Sequence, residues 1–260
     1  MFLLTAAAER GFFDWIFLIV ENYWPLFIRG AGVTLLISIT GTIIGSFIGL
    51  IVGVIRTIPR SPRDNKFKKI ILKVIDFIFT AYIEIFRGTP MIVQAMIIFY
   101  GLNFQLEMAI PAGIFIVSIN TGAYMSEIVR GGIVSVDKGQ FEAAHSIGMN
   151  HWKTMMNIIL PQVIRNILPA TGNEFVINIK DTSVLNVISV NELYYQSKSI
   201  GGTYFKYFEV FLITCIIYFI MTFAVTRLLR LFEKKLEGPS TYTIHGSQTA
   251  PESEIKVRGE

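Results

Sequence analysis

The chain has 260 residues, of which 52% are hydrophobic and 16% charged, with a formal net charge of +4. Such composition excludes a disordered chain and an ordinary soluble domain. Its basic residues sit between long apolar runs rather than on a solvated face, which excludes a nucleic-acid binder, and the single cysteine, Cys215, leaves no internal disulfide and no cysteine-based zinc site.

In chain order, Phe12 to Val20 is aromatic and apolar but too short for a hydrocarbon core of roughly 30 Å, which takes about 20 helical residues to cross. It is expected to lie along the outer interface, with Tyr23 and Trp24 at headgroup level, so that residues 1–29 form an external interfacial segment. No basic patch or small-residue cleavage pattern marks a signal peptide, so the first span is expected to be retained. Gly30 to Ile55 follows, 26 residues without a charge, and predicts the first transmembrane helix. Within it Gly41, Gly45, Gly49 and Gly53 recur every fourth residue and share one stripe. That stripe suits either close packing on a neighbouring helix of the chain or a dimer seam.

The link from Arg56 to Lys73 holds seven basic residues against the single acid Asp64, which places it on the cytoplasmic side. A second span, Ile75 to Gly101, carries Glu84 and Arg87, three residues apart and able to neutralise each other. Gly88, Thr89 and Pro90 follow, and the proline bends or interrupts the helix there. The next link, Leu102 to Glu107, has no basic residue. A third span, Met108 to Val129, sets Asn120, Tyr124 and Glu127 on one face, with Glu127 near enough to Arg130 for an interfacial ion pair.

Between the third and fourth spans, residues 130–165 form a long polar loop. It reads as two short helices, the first over about Gln140 to Ile147 and stopped at Gly148, the second capped by Asn150 and ended before Pro161. Ala143 and Ala144 keep the first helix thin enough to enter a partner's groove, and Glu142 offers a charge for register.

The fourth span, Asn166 to Val190, holds Glu174, Lys180 and Asp181. Glu174 and Asp181 fall about 20° apart around the helix and roughly 10 Å apart along it, with Asn178 between them and Lys180 about 120° from Glu174. Charges at membrane depth are costly and face protein or a water-filled cavity. This stripe therefore either lines a translocation cavity that attracts a positive group or bonds to cations on neighbouring helices. Val210 to Thr226, extended by Tyr207 and Phe208, gives the fifth span, followed by Arg227, Arg230, Lys234 and Lys235. The sum is an all-α polytopic membrane protein with five transmembrane helices, N-terminus outside and C-terminus cytoplasmic. The permease domain covers residues 30–237, and 238–260 form a polar cytoplasmic tail.

No GxxxxGK[ST] loop and no HExxH occurs, and no nucleophile stands beside a base, so an enzyme is the weaker class and no metal site is expected. An ion-coupled secondary transporter using Glu174, Asp181 and Glu127 is the alternative, although no internal duplication supports it.

One ordered window holds Glu142, Ala143, Ala144, Gly148, Ile158, Leu160 and Pro161. That spacing resembles the EAA loop of ATP-binding cassette (ABC) importer permeases. The segments EIFRGTPMIVQ (84–94), INTGAYMSEIVRGGI (119–133) and NEFVINIKDTSVLNVI (173–188) resemble the polar amino-acid uptake permeases of the histidine and glutamine type. Thr121, Val184 and Asn186 depart from the usual Ser, Leu and Ser, which bears on solute identity alone.

The resemblance implies a type I ABC importer permease fold in a bacterial inner membrane. It implies partnership with a second permease copy or paralogue, two ATPase subunits that carry ATP and Mg, and an external solute-binding protein, with no cofactor bound by this chain. Asp181 and Glu174 would contact the solute, with Asn120 and Tyr124 as further cavity residues. Glu142, Ala143, Ala144 and Gly148 would couple the cavity to the ATPases through alternating access.

Overall fold

The computed structural model describes residues 11–59 and 65–236, so the tail 238–260 and the loop residues Arg60, Arg63 and Asp64 lie outside the described residues. Secondary structure among the described residues is entirely helical. Three helical segments are long and apolar enough to cross a bilayer: Phe12–Arg56, Leu106–Val134 and Tyr207–Glu233.

Helix α1, Phe12–Arg56, runs unbroken for 45 residues, about 67 Å at 1.5 Å per residue. The boundary expected at residue 29 is therefore not a helix end. Asp14 closes the first turn by accepting from the Gly11 N–H at 3.0 Å. Trp15, Ile19 and Phe27 are buried on one face; Ile19 and Phe27 pack with residues from the C-terminal part of the chain such as Val210 and Ile213, and the Trp15 ring lies 5.6 Å from that of Tyr204. Packing of that face keeps the segment helical through Pro25, which removes only one backbone donor.

The second expected span is two helices. α2, Lys66–Gly88, stops before Pro90, and α3, Met91–Gly101, starts after it. Proline's missing donor and its steric demand on the preceding residue account for the break. The Gln94 side-chain amide donates to the Phe86 and Thr89 carbonyls, each at 2.9 Å, and so takes up acceptors that the break frees. Glu84 and Arg87 do not pair as expected: both are exposed, and the Arg87 guanidinium instead stands 5.4 Å from the centre of the Tyr124 ring.

α4, Ala109–Val134, continues five residues beyond the expected span. The short α5, Lys138–Ser146, and α6, His151–Thr154, follow. A π-helical turn, Met155–Ile159, then leads straight into α7, Leu160–Asp181, so the second loop helix does not end before Pro161 as expected. Pro161 falls in the first turn of α7, where its missing donor costs nothing, and the wide turn before it relieves the ring's clash with the chain behind. α7 is also shorter than the expected fourth span. Its last residues, Thr182–Ile188, form a 3-10 segment that ends at Ser189 with φ 61°. α8, Leu193–Tyr204, is not among the expected elements, and α9, Tyr207–Leu236, starts where the last span is expected to start and runs ten residues past Thr226.

Close packing sets the helix directions. A Cβ on Gly41, Gly45, Gly49 or Gly53 would collide with Val117, Thr121, Met125 or Val129 respectively. Both series climb in steps of four, so α1 and α4 run parallel along an in-register seam, and the glycine stripe serves packing within the chain. α7 runs against α4: Gly132 meets Val163 and Ile167, whereas Thr121, further back, bonds Asn178, further on. α9 runs with α1, for Phe12 meets Phe208 and Thr34 and Tyr218 both reach the Glu192–Leu193 junction. The three helices long and apolar enough to span thus point one way, and α2–α3 and α7 with its 3-10 extension return between them. Large rings such as Phe47, Phe77 and Phe219 face outward, the arrangement suited to lipid.

Candidate functional site

The acidic stripe of α7 divides by environment. Asn178 is buried, and its amide donates to the Thr42 hydroxyl at 2.8 Å and the Thr121 hydroxyl at 2.9 Å, pinning α7 between α1 and α4. Thr42 lies at the middle of the charge-free run 30–55, so this pin marks mid-membrane depth. Glu174, one turn earlier on the same face, is 8% exposed, yet no described residue offers it a hydrogen bond or an ion pair. Asp181 closes the helix, is exposed, and is equally without a hydrogen bond or ion pair. Of the two readings left open for this stripe, bonding to neighbouring cations is absent among the described residues. A buried carboxylate without such a partner carries a large cost unless a cation or water reaches it.

The other expected cavity residues are held by the protein. Asn120 donates to the Gln94 side-chain oxygen at 2.8 Å, which ties the α2–α3 break to α4. Tyr124 is half-buried with the Arg87 guanidinium over its ring. Glu127 accepts from Arg130 at 2.9 and 3.1 Å and also pairs with Arg56. Arg56 lies 3.7 Å from Asp76 as well, so one guanidinium joins the end of α1 to the middle of α2 and to α4. Asn120, Tyr124 and Glu127 therefore sit in a structural frame beside the α7 stripe.

The loop helices carry the coupling motif as the sequence places it. Asp137 caps α5 by accepting from the Gly139 N–H at 2.6 Å. Gly148 adopts φ +84°, its N–H donates to the His145 carbonyl and the Met149 N–H to the Ala144 carbonyl, each at 3.0 Å, which forms a complete Schellman stop. Asn150 caps α6 by accepting from the Lys153 N–H at 2.8 Å. Ala144 is buried, whereas Glu142 and Ala143 are exposed. Burial, with the His145 and Lys68 charges nearby, holds the His151 pKa below its ordinary value and keeps this half-buried ring neutral near pH 7.

Two features escaped the sequence reading. Arg56 reads as one more basic loop residue, yet it is the clamp just described. Glu192 is fully buried at the start of α8, where its carboxylate accepts from the Tyr194 and Tyr195 N–H groups at 2.8 and 2.6 Å and from the Tyr218 hydroxyl at 3.1 Å. An acid just before an apolar pair is a helix-start signal, but α8 is too short and polar to register as a span.

Comparison with known proteins gives a consistent picture. The family described as "Binding-protein-dependent transport system inner membrane component" matches residues 67–238. A probable amino-acid permease protein of Bacillus subtilis (strain 168) is 36% identical over 231 residues, covering 87% of this chain and 97% of its own length. The glutamine transport system permease protein of Escherichia coli (strain K12) is 36% identical over 232 residues, 86% of this chain and 98% of its own. Among solved structures, an amino acid ABC transporter with histidines superposes with a TM-score of 0.71 at 40% identity, covering 84% of this chain and 98% of that one.

Proposed function

We propose a function from one premise: the chain belongs to the family of binding-protein-dependent transport system inner membrane components. It is the multi-pass, inner-membrane permease subunit of an ABC amino-acid importer and has the all-α membrane permease fold of such importers. It is not itself catalytic, since ATP is bound by ATPase partners. Beyond that premise, the chain crosses the membrane five times with its N-terminus outside. The reading is supported by three parallel apolar helices that need two returns between them, and by the basic residues collected at the Arg56 end.

The solute is a polar amino acid, moved inward by alternating access. One observation carries this reading: Glu174 and Asp181, beside the mid-membrane pin, make no hydrogen bond or ion pair with any described residue and stand ready for an ammonium group or a basic side chain. Two ATPase subunits, carrying ATP and Mg, dock under Glu142 to Gly148, a second permease copy or paralogue completes the path, and an external binding protein delivers the solute. Residues 130–165 act as the coupling loop of a permease domain over 30–237. The test is purification through a tag on this chain, then reconstitution into vesicles. ATPase subunits should co-elute, and labelled polar amino acids should enter only with ATP. Uptake driven by a proton or sodium gradient without ATP would overturn the reading in favour of a secondary transporter.

A further inference from the structure

Five hydroxyls punctuate the charge-free run of α1, and four of them are engaged. Thr34 accepts from the Leu193 N–H at 3.2 Å and Thr42 from the Asn178 amide at 2.8 Å, while Ser38 and Thr40 donate back to the Thr34 and Leu36 carbonyls at 2.7 and 2.6 Å. Ser46 breaks the pattern: its oxygen is buried and finds no hydrogen-bond partner among the described residues. It does not even turn back on its own helix, the ordinary recourse of a serine in mid-helix. A buried hydroxyl left unbonded is costly, so this one calls for a group to meet it.

Ser46 lies opposite Glu174. The Asn178–Thr42 bond fixes the level at which α1 and α7 meet, and the two helices run in opposite directions. Ser46 is one turn beyond Thr42 and Glu174 one turn before Asn178, so both step about 6 Å from the pin toward the Arg56 end, each on the face that makes the pin. Gly172 gives the same orientation: its would-be Cβ meets Leu229 of α9, and Glu174, two residues on, is turned about 200° away from that neighbour. One turn further the polar faces give way to hydrocarbon, with Leu50 and Val54 of α1 packed on Met125, Val129, Val163 and Ile167. The two unbonded groups therefore share one level inside the chain, between the pin and an aliphatic core, and away from the lipid-facing rings. They do not bond each other, so a third group between them is what would satisfy both.

We propose that Ser46 is the α1 half of the solute site, a positioning residue whose hydroxyl oxygen accepts from the same solute ammonium that the Glu174 carboxylate receives. The proposal rests on the reading of Glu174 as the acceptor of the solute's positive group. An ammonium carries three N–H donors in fixed directions, and a carboxylate on one side leaves at least one of them to be met from another helix. A hydroxyl fills that place without setting a second negative charge at membrane depth, where charge is expensive. Held from two helices at once, the ammonium is bound well only at one spacing of α1 and α7.

ATP-driven uptake is measured in vesicles holding the complete assembly, with whichever of labelled L-glutamine, L-arginine, L-histidine and L-cystine enters fastest. Ser46→Ala should raise the half-saturating concentration by about 2- to 10-fold, the scale of one hydrogen bond, and leave the maximal rate unchanged. Ser46→Thr keeps the hydroxyl and should restore the unsubstituted value. A hydroxyl with a merely structural role would move the maximal rate or the yield of folded chain instead. A second arm puts a thiol at the position: Ser46→Cys in a Cys215→Ser background is treated with 2-aminoethyl methanethiosulfonate. Solute at ten times its half-saturating concentration should slow the modification about tenfold by occupying the site. An unchanged half-saturating concentration in Ser46→Ala would overturn the proposal. So would a thiol whose modification ignores solute, or one that stays unmodified until the chain is denatured. Glu174→Gln measured alongside separates this proposal from the reading beneath it: a shifted Glu174→Gln beside an unshifted Ser46→Ala strikes Ser46 alone, whereas no shift in either strikes the acidic site itself.

Discussion

Replacing Gly49 by alanine tests the seam on which the fold depends. A Cβ there would meet the Met125 Cβ and would also stand 2.7 Å from the Met125 carbonyl carbon and 2.8 Å from the Ser126 nitrogen. Carbon contacts settle at about 3.5–4.0 Å, so α1 and α4 must part by roughly 1 Å, and because the obstruction is backbone no rotamer change relieves it. Overpacking of this kind costs about 1–3 kcal/mol, and a backbone obstruction puts Gly49→Ala near about 3 kcal/mol. Alanine also favours the helix by about 1 kcal/mol. Gly32 sits on the same helix with nothing within 4 Å of its would-be Cβ, so Gly32→Ala carries the same helix gain without the clash. The two variants should therefore differ by about 3 kcal/mol, with Gly49→Ala near 2 kcal/mol below the unsubstituted chain. Unfolding by sodium dodecyl sulfate in mixed micelles, followed by circular dichroism, reads the difference. Coincident midpoints for Gly49→Ala and Gly32→Ala would refute the close α1–α4 approach.

Further substitutions probe the pin, the clamp and the coupling loop. Asn178→Ala strands the Thr42 and Thr121 hydroxyls and should cost about 1–2 kcal/mol in the same titration, near the upper range for interhelical bonds in membranes; a neutral effect would show that the pin is idle. Arg56→Ala removes the shared partner of Glu127 and Asp76 and should destabilise by about 1–3 kcal/mol, with Arg56→Lys recovering only part because one ammonium cannot span both acids. Full recovery by lysine would argue against the forked clamp. Gly148→Val forces a β-branched residue to φ +84°, a penalty of at least about 1–2 kcal/mol, and should unravel the stop of α5. Solute-stimulated ATP hydrolysis should then no longer be matched by uptake, and a variant that keeps the normal ratio of transport to hydrolysis would remove Gly148 from the coupling path.

The sequence carries some parts of this architecture more plainly than others. Charge-free 30–55 announces a crossing because nothing polar interrupts it, and the four-residue glycine rhythm specifies close approach, though it does not say which helix approaches. Gly148 and Asn150 are readable because helix stops and caps are local chemistry, satisfied within a few residues. Pro161 misleads for the same reason: a local rule ends the helix there, whereas the π turn before it lets the chain continue. The unbroken start of α1 rests on Trp15, Ile19 and Phe27 meeting residues more than 160 positions later, which no short window can register. In the candidate site, the spacing of Glu174 and Asp181 sets their common face, but only packing decides that Asn178 becomes a structural pin while the two acids find no bonded partner among the described residues. Glu192 acquires its meaning from α9, whose Tyr218 hydroxyl bonds it from 26 residues further along the chain.

Initial rates of ATP-driven amino-acid uptake by the reconstituted assembly, measured over a range of solute concentrations for Glu174→Gln and Asp181→Asn, test the central claim most directly. A charge-assisted hydrogen bond is worth about 1.5–3 kcal/mol, so each neutral isostere should weaken apparent solute affinity by about 10- to 150-fold while the ATPase subunits still co-elute. Unchanged concentration dependence in both variants would contradict the account and assign the two carboxylates to structure alone.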